Sequence, residues 1–210
     1  MTSTPDPADP LADPRRFAPA TERNREPILE LLNRVLPPTG TVLEIASGTG
    51  EHVVYFGRQL PHLTWQPTDI DSAARASIVA WAAEAGLTNV CPPLALDASQ
   101  PNWPIDRADA VLAVNMIHIA PWAAAIGLLS GAARLLPRDA PLVLYGPYKR
   151  NGQHTAPSND AFDQNLRRQN PAWGVRDLES VAEAADAAGL MLAEIAPMPA
   201  NNLGVVFRRR

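Results

Sequence analysis

Residues 42–50 read Val42-Leu43-Glu44-Ile45-Ala46-Ser47-Gly48-Thr49-Gly50, and their reading decides the fold. An apolar, β-branched run from Thr41 to Ile45 enters a turn of small residues, Ala46 to Gly50, and a helix is predicted from Glu51 to about Leu60. Small residues let the backbone turn sharply and approach a ligand closely. The free N–H groups of a helix start then face a polar or negative group. That is the opening of a nucleotide-type site at the first strand of a doubly wound sheet.

The choice of nucleotide follows from what is missing. A dinucleotide fingerprint needs a third glycine where Val53 stands, which disfavours a nicotinamide oxidoreductase. A phosphate-binding loop needs Gly-Lys-Ser/Thr, and Lys149 is the only lysine. The stretch instead resembles the acidic-x-G-x-G-x-G motif of S-adenosylmethionine methyltransferases, with Ala46 in place of the first glycine. Glu44 is the discriminating residue. A phosphate would be repelled by it, whereas a sulfonium and an ammonium would be drawn to it.

Acidic strand ends recur downstream. Leu63 to Asp69 reads as a second strand whose Asp69 lies 21 residues past Gly48, where a ribose-binding carboxylate is expected. Asp71 reads as the N-cap of a helix over Ser72–Ala85. A third strand is predicted at Leu94-Ala95-Leu96, ending in Asp97-Ala98. A fourth, Ala110 to Val114, ends in Asn115-Met116-Ile117-His118, and a fifth is Leu142 to Tyr145. Helices are predicted from Thr21, as N-cap, to Leu36, then over Trp122–Leu136, Asn159–Gln169 and Val175–Ala188. Two last strands, Leu190–Ile195 and Val205–Phe207, are joined by a short turn, so one strand runs against the others.

The bulk properties narrow the function. A chain of 210 residues is expected to form one domain over 15–210, behind a flexible tail at 1–14 that is rich in proline and aspartate. Residues 15–38 are expected to be a lid segment and helix, with Arg23-Asn24 folding across the site. A net charge of −4 counts against nucleic acid. A single cysteine, Cys91, excludes an intrachain disulfide and suits a cytoplasmic setting. No apolar run is long enough for a membrane span, and no signal peptide is read at the N-terminus. Four histidines and one cysteine show no metal-ligand spacing, so no metal is expected. The expected partner is a small molecule; the oligomeric state is open.

Over nearly all of residues 15–209 the chain resembles one family. The segments that carry the likeness are Arg16 to Asn24, Asn115 to Trp122, Leu144 to Lys149, Asn170 to Asp177 and Met198 to Leu203. It is the methyltransferase-like group long catalogued as a domain of unknown function, whose animal member is called methyltransferase-like protein 26. The resemblance implies a Rossmann-like class I methyltransferase fold: a mostly parallel seven-stranded sheet with one reversed strand and helices on both faces. It also implies S-adenosylmethionine as cofactor. The cofactor residues expected are Glu44, Ala46, Ser47, Gly48, Gly50, Asp69, Ile70, Asp97, Ala98, Asn115 and Met116.

The substrate is expected at the carboxyl edge of the sheet. Asn24, His118, Tyr148, His154, Asn201 and Asn202 are the candidates, with His118 and Tyr148 as catalytic groups. An unperturbed imidazole titrates near pH ~6.5, which suits a general base. The expected activity is methyl transfer to a small polar molecule through a nitrogen, sulfur or selenium nucleophile. The rivals are a protein that binds the cofactor without turnover and a protein or RNA methyltransferase.

Overall fold

A computed structural model describes residues 13–210; most of the tail expected over 1–14 lies outside the described residues. The main sheet has six strands: β1 Gly40–Ile45, β2 Leu63–Pro67, β3 Ala110–Val114, β4 Pro141–Pro147, β7 Leu190–Met198 and β8 Asn202–Arg209. Their order is β2-β1-β3-β4-β8-β7. The first four are parallel, while β8 runs antiparallel to both β4 and β7. Two short strands, β5 Lys149–Arg150 and β6 Gln153–His154, form a separate ribbon.

Six strands, not seven, is a correction with a visible cause. The strand expected at Leu94-Ala95-Leu96 is reduced to two bridges against β2, Val90 with Trp65 and Leu94 with Thr68. Between them stand Pro92 and Pro93, which have no N–H to give to a ladder. The segment still runs along β2, with Cys91 N donating to Trp65 O at 2.8 Å and Leu94 N to Pro67 O at 3.1 Å. Asp97 therefore arrives where a third strand would have delivered it.

Strand alternation divides the core. On one face Leu43, Val111, Leu142, Leu144 and Phe207 pack beneath α4 (Trp122–Leu135) and α6 (Leu178–Ala187). On the other, Val42, Leu112, Val143, Tyr145 and Val206 pack beneath α1 (Pro19–Val35), α2 (Glu51–Gln59) and α3 (Ser72–Ala85). α5 (Pro157–Gln169) stands beyond the carboxyl end of β4.

Three helix starts differ from expectation. α1 begins at Pro19 with Ala18 at the cap position, so Thr21 is a buried first-turn residue rather than the N-cap. Proline is favourable in the first turn, where its missing N–H has no partner to lose. The same holds for α5, which opens at Pro157 rather than Asn159. α6 starts at Leu178, because Asp177 caps it through Ser180 N. Asp71 caps α3 as expected, accepting from Ala73 N at 2.9 Å.

Candidate active site

The glycine turn is held from three sides. Ser47 N donates to Thr68 O at 2.7 Å, and Asp69 Oδ2 accepts from Gly48 N at 2.9 Å. Ser77 Oγ of α3 donates to Thr49 O at 2.6 Å. Gly50 is obligatory here: it has φ +90°, and a Cβ would sit 2.8 Å from the Ile78 backbone. Ala46 takes φ +56° in the place of the motif's first glycine, a left-handed conformation that costs a residue with a side chain roughly 1–2 kcal/mol.

Beside the turn lies a cleft of about 540 Å³. Ala46, Gly48, Asp69 and Ile70 line one end, and Leu96, Asp97, Ala98 and Ser99 the other; Met116, Ile119, Ala120 and Trp173 complete its wall. Asp97 accepts from both the N–H and the hydroxyl of Ser99, which holds its carboxyl below the usual range. α4 approaches this end closely at Gly127, where a Cβ would meet Ala98 O at 2.0 Å. Two of the wall residues, Ile70 and Ile119, are large, apolar and 67% and 43% exposed.

Of the expected cofactor residues, Glu44, Ser47, Gly50 and Asn115 are not in the cleft wall: Glu44 lies in β1 behind the turn, Ser47 and Gly50 belong to the turn, and Asn115 lines a second cavity. Glu44 is 2% exposed, and its Oε2 has no hydrogen-bond partner. Burial pushes its carboxyl up to about 8; Ser47 opposes the rise and the nearby charge of Asp69 adds to it.

A second cavity, of about 590 Å³, adjoins the first at the Asn115-Met116 step. Asn24, Asn115, Asn201 and Asn202 line it, as do Arg23, Tyr145, Ser158, Asn159 and Phe162. Asn115 reaches it from a left-handed backbone, φ +61°, and Ala200 and Asn201 are left-handed as well. Asn159 Nδ2 donates to Asn201 O at 3.0 Å, tying α5 to the turn between β7 and β8. Within this chamber Asn202 Nδ2 donates to the Tyr145 hydroxyl at 3.0 Å.

Tyr145 escaped the sequence reading. Its signal is its position: last but two in β4, on the same face as Val143 and beneath α1. His52 is half-buried and stacks on Phe56, with its Nε2 2.7 Å from Asn24 Oδ1. Burial, with Arg25 nearby, lowers its pKa to about 4.

The two expected catalytic groups do not line either cavity. His118 and Tyr148 are both fully buried, packed edge to face with ring centres 5.0 Å apart. His118 Nδ1 accepts from Arg176 N at 3.2 Å, so the ring proton sits on Nε2, which has no partner. Burial drives its pKa down to about 3, with the Arg176 charge adding to the effect. Such a ring is a poor proton acceptor at neutral pH. It lies below β4 at a gap left by Gly146, where a Cβ would come within 2.6 Å of Nε2.

His154 is also outside the chamber. It pairs with Asp163 at 3.2 Å and Asp160 at 3.5 Å, and Lys149 Nζ meets Asp163 at 3.0 Å. Among the described residues, no cluster of histidine, cysteine or carboxylate side chains has the geometry to hold a metal, and no helix is long and apolar enough to cross a membrane.

The N-terminal segment crosses beside the turn. Ala18 N donates to Glu51 Oε2 at 2.6 Å, Arg16 N to Ser77 Oγ at 2.8 Å, and Phe17 packs on Trp81. The first two turns of α1 then supply Ala20, Arg23 and Asn24 to the chamber.

The family model described as "Protein of unknown function (DUF938)" matches residues 15–209. The chain belongs to this family. The DUF938 fold recurs in solved methyltransferase structures. It superposes on an O-methyltransferase family protein from Burkholderia thailandensis with a TM-score of 0.77 at 18% identity, covering 90% of this chain and 57% of that one. For the mitomycin 7-O-methyltransferase MmcR the values are 0.78, 18%, 91% and 54%. For CalO1, a methyltransferase in calicheamicin biosynthesis solved with S-adenosylhomocysteine, they are 0.69, 19%, 89% and 54%. The DUF938 chain thus spans little more than half the length of these proteins, and the likeness is one of fold.

Proposed function

We propose that the protein is an S-adenosylmethionine-dependent methyltransferase that acts on a small polar molecule through a nitrogen, sulfur or selenium nucleophile. The observation that carries this is the pair of adjoining cavities, one acidic at both ends with apolar walls, the other lined by amides. The resemblance to the methyltransferase-like protein 26 group and the fold shared with methyltransferases support the same reading.

The residues of the cleft suit the cofactor. Glu44 Oε2 is a buried acceptor without a donor, behind the turn where an ammonium would lie. Asp69 ties the turn to the end of β2 and has lone pairs left for ribose hydroxyls. Ile70 and Ile119 expose apolar surface that a flat ring would cover. Asp97 and Ala98 line the same cleft.

Bound, the cofactor supplies a methyl group on a sulfonium, which needs no further activation. The protein's part is then alignment, which contributes up to ~7–11 kcal/mol of a barrier in favourable cases. The chamber offers amides, a phenol and a guanidinium, and among its lining residues there is no carboxylate or imidazole. Burial raises the pKa of Tyr145, so it is a donor rather than a base. A substrate held here attacks with a lone pair it already has: a thiolate, a selenolate or an unprotonated ring nitrogen.

Calorimetry and thermal denaturation test the cofactor. S-adenosylhomocysteine should bind and raise Tm, since it stabilises the folded state alone. Asp69→Ala should weaken binding at least tenfold, because the charged carboxylate that would accept from the ribose hydroxyls is lost. Wild-type protein that ignores S-adenosylhomocysteine and binds NADH would sink the proposal.

His118 is expected to act on stability. The neutral ring of the folded state resists a proton that the unfolded chain takes up near 6.5, so its contribution is present above that pH and is lost as pH falls towards about 3. His118→Gln should flatten this loss and leave S-adenosylhomocysteine affinity unchanged. A variant with intact stability and binding but no methyl transfer would restore His118 as the base.

A further inference from the structure

Resting on the methyltransferase reading, we infer that the amide-lined chamber selects a small acceptor carrying a carboxylate, which Arg23 and the Tyr145 hydroxyl receive together.

The argument begins with the hydrogen bonds around Tyr145. Its oxygen accepts from Asn202 Nδ2 at 3.0 Å. The Asn24 amide lines the same chamber, with its Oδ1 2.7 Å from His52 Nε2. A phenol oxygen has two lone pairs and one proton. The Asn202 amide engages the oxygen, no acceptor among the described residues takes the proton, and the proton is what Tyr145 offers to the chamber.

Charge points the same way. Arg23 lines the chamber from the first two turns of α1, and among the described residues it makes no ion pair. No aspartate or glutamate contributes to the lining, so an anion entering the chamber meets no repelling charge. The acidic groups of the neighbourhood are committed elsewhere. Glu51 is held by Ala18 N and Thr49, and Asp163 is held by Lys149, His154 and Arg167. A guanidinium fork and a phenol O–H are matched by a carboxylate, which accepts several donors at once. A cationic amine would find amide oxygens but no counter-charge.

The test uses the complex with S-adenosylhomocysteine, followed by nuclear magnetic resonance of the side-chain amides. Three probes of similar size are titrated: 3-mercaptopropionate, 3-mercaptopropanol and cysteamine. The carboxylate should bind tightest and should shift the Asn24 and Asn202 side-chain signals. Arg23→Gln should weaken it by ~10–100-fold, the range for a hydrogen bond to a charged group, and leave the alcohol unchanged. Tyr145→Phe should weaken the carboxylate too, with Asn202 freed to give a new amide shift. Equal binding of all three, preference for the amine, no probe binding, or a preference that survives Arg23→Gln each overturns the inference. The underlying methyltransferase reading fails separately, by failure of S-adenosylhomocysteine to bind at all.

Discussion

Glu44→Gln should make the ligand-free protein more stable and the cofactor site much worse. The carboxyl is 2% exposed and holds its proton to about pH 8, against 4.5 when free. Between these values the folded state carries a proton that the unfolded state has lost. Stability therefore falls as pH rises from about 4.5 to about 8 and is level above. At one pKa unit per 1.36 kcal/mol, the full effect is on the order of 5 kcal/mol. The glutamine variant keeps the shape and removes that loss, so its Tm at pH 8 should exceed that of wild type. An ammonium bound beside Glu44 would reverse the preference and draw the proton off. Binding of S-adenosylhomocysteine by wild type at pH 7 should accordingly release a proton, seen as a calorimetric heat that depends on the buffer. The variant should show weaker binding and no release. A glutamine variant that is less stable at pH 8 and binds the cofactor as wild type does would show that Glu44 is a structural donor only.

Arg176→Ala should collapse the cleft wall. The guanidinium donates to Ile117 O at 2.9 Å, Ala120 O at 2.6 Å and Ala172 O at 2.9 Å, and lies over the Trp122 ring. It clasps the loop after β3 to the segment that carries Trp173. Each carbonyl left without a partner costs roughly 1–3 kcal/mol where water cannot replace the donor. We expect a loss of several kcal/mol in urea unfolding and a cofactor affinity reduced more than tenfold. Arg176→Lys should recover little, because an ammonium cannot span three carbonyls with a planar fork. Full recovery by lysine would mean that charge, not geometry, holds the wall.

The glycine turn and the cleft beside it were legible in the sequence because their residues are local. Glu44, Gly48 and Gly50 stand within seven residues, and Asp69 and Asp97 each follow their own apolar run. The amide-lined chamber depends on distant partners. Tyr145 is a buried β-strand residue until Asn202, 57 positions later, and Asn24 of the first helix are brought beside it. His118 misled for the converse reason. It stands three residues after Asn115, and the 3-10 turn Met116–His118 swings one side chain into the chamber wall and the other into the core. Periodicity along a strand does not extend through such a turn. The missing strand was visible as Pro92-Pro93, whose cost to a ladder outweighs the apolar run that follows.

Those two prolines bear on how the molecule behaves in a crowded solution. The outer margin of β2 carries a segment with only two bridges, so a second copy would find no unbroken row of amide groups to extend. The opposite margin, β7, is interrupted too: its register with β8 shifts between Leu192 and Glu194, and Pro197 follows. A six-stranded sheet with an exposed Met191 and Leu192 on its last strand would otherwise be a template for stacking end to end. The chain gives up one strand of its sheet, and both margins are broken where another strand would have to pair.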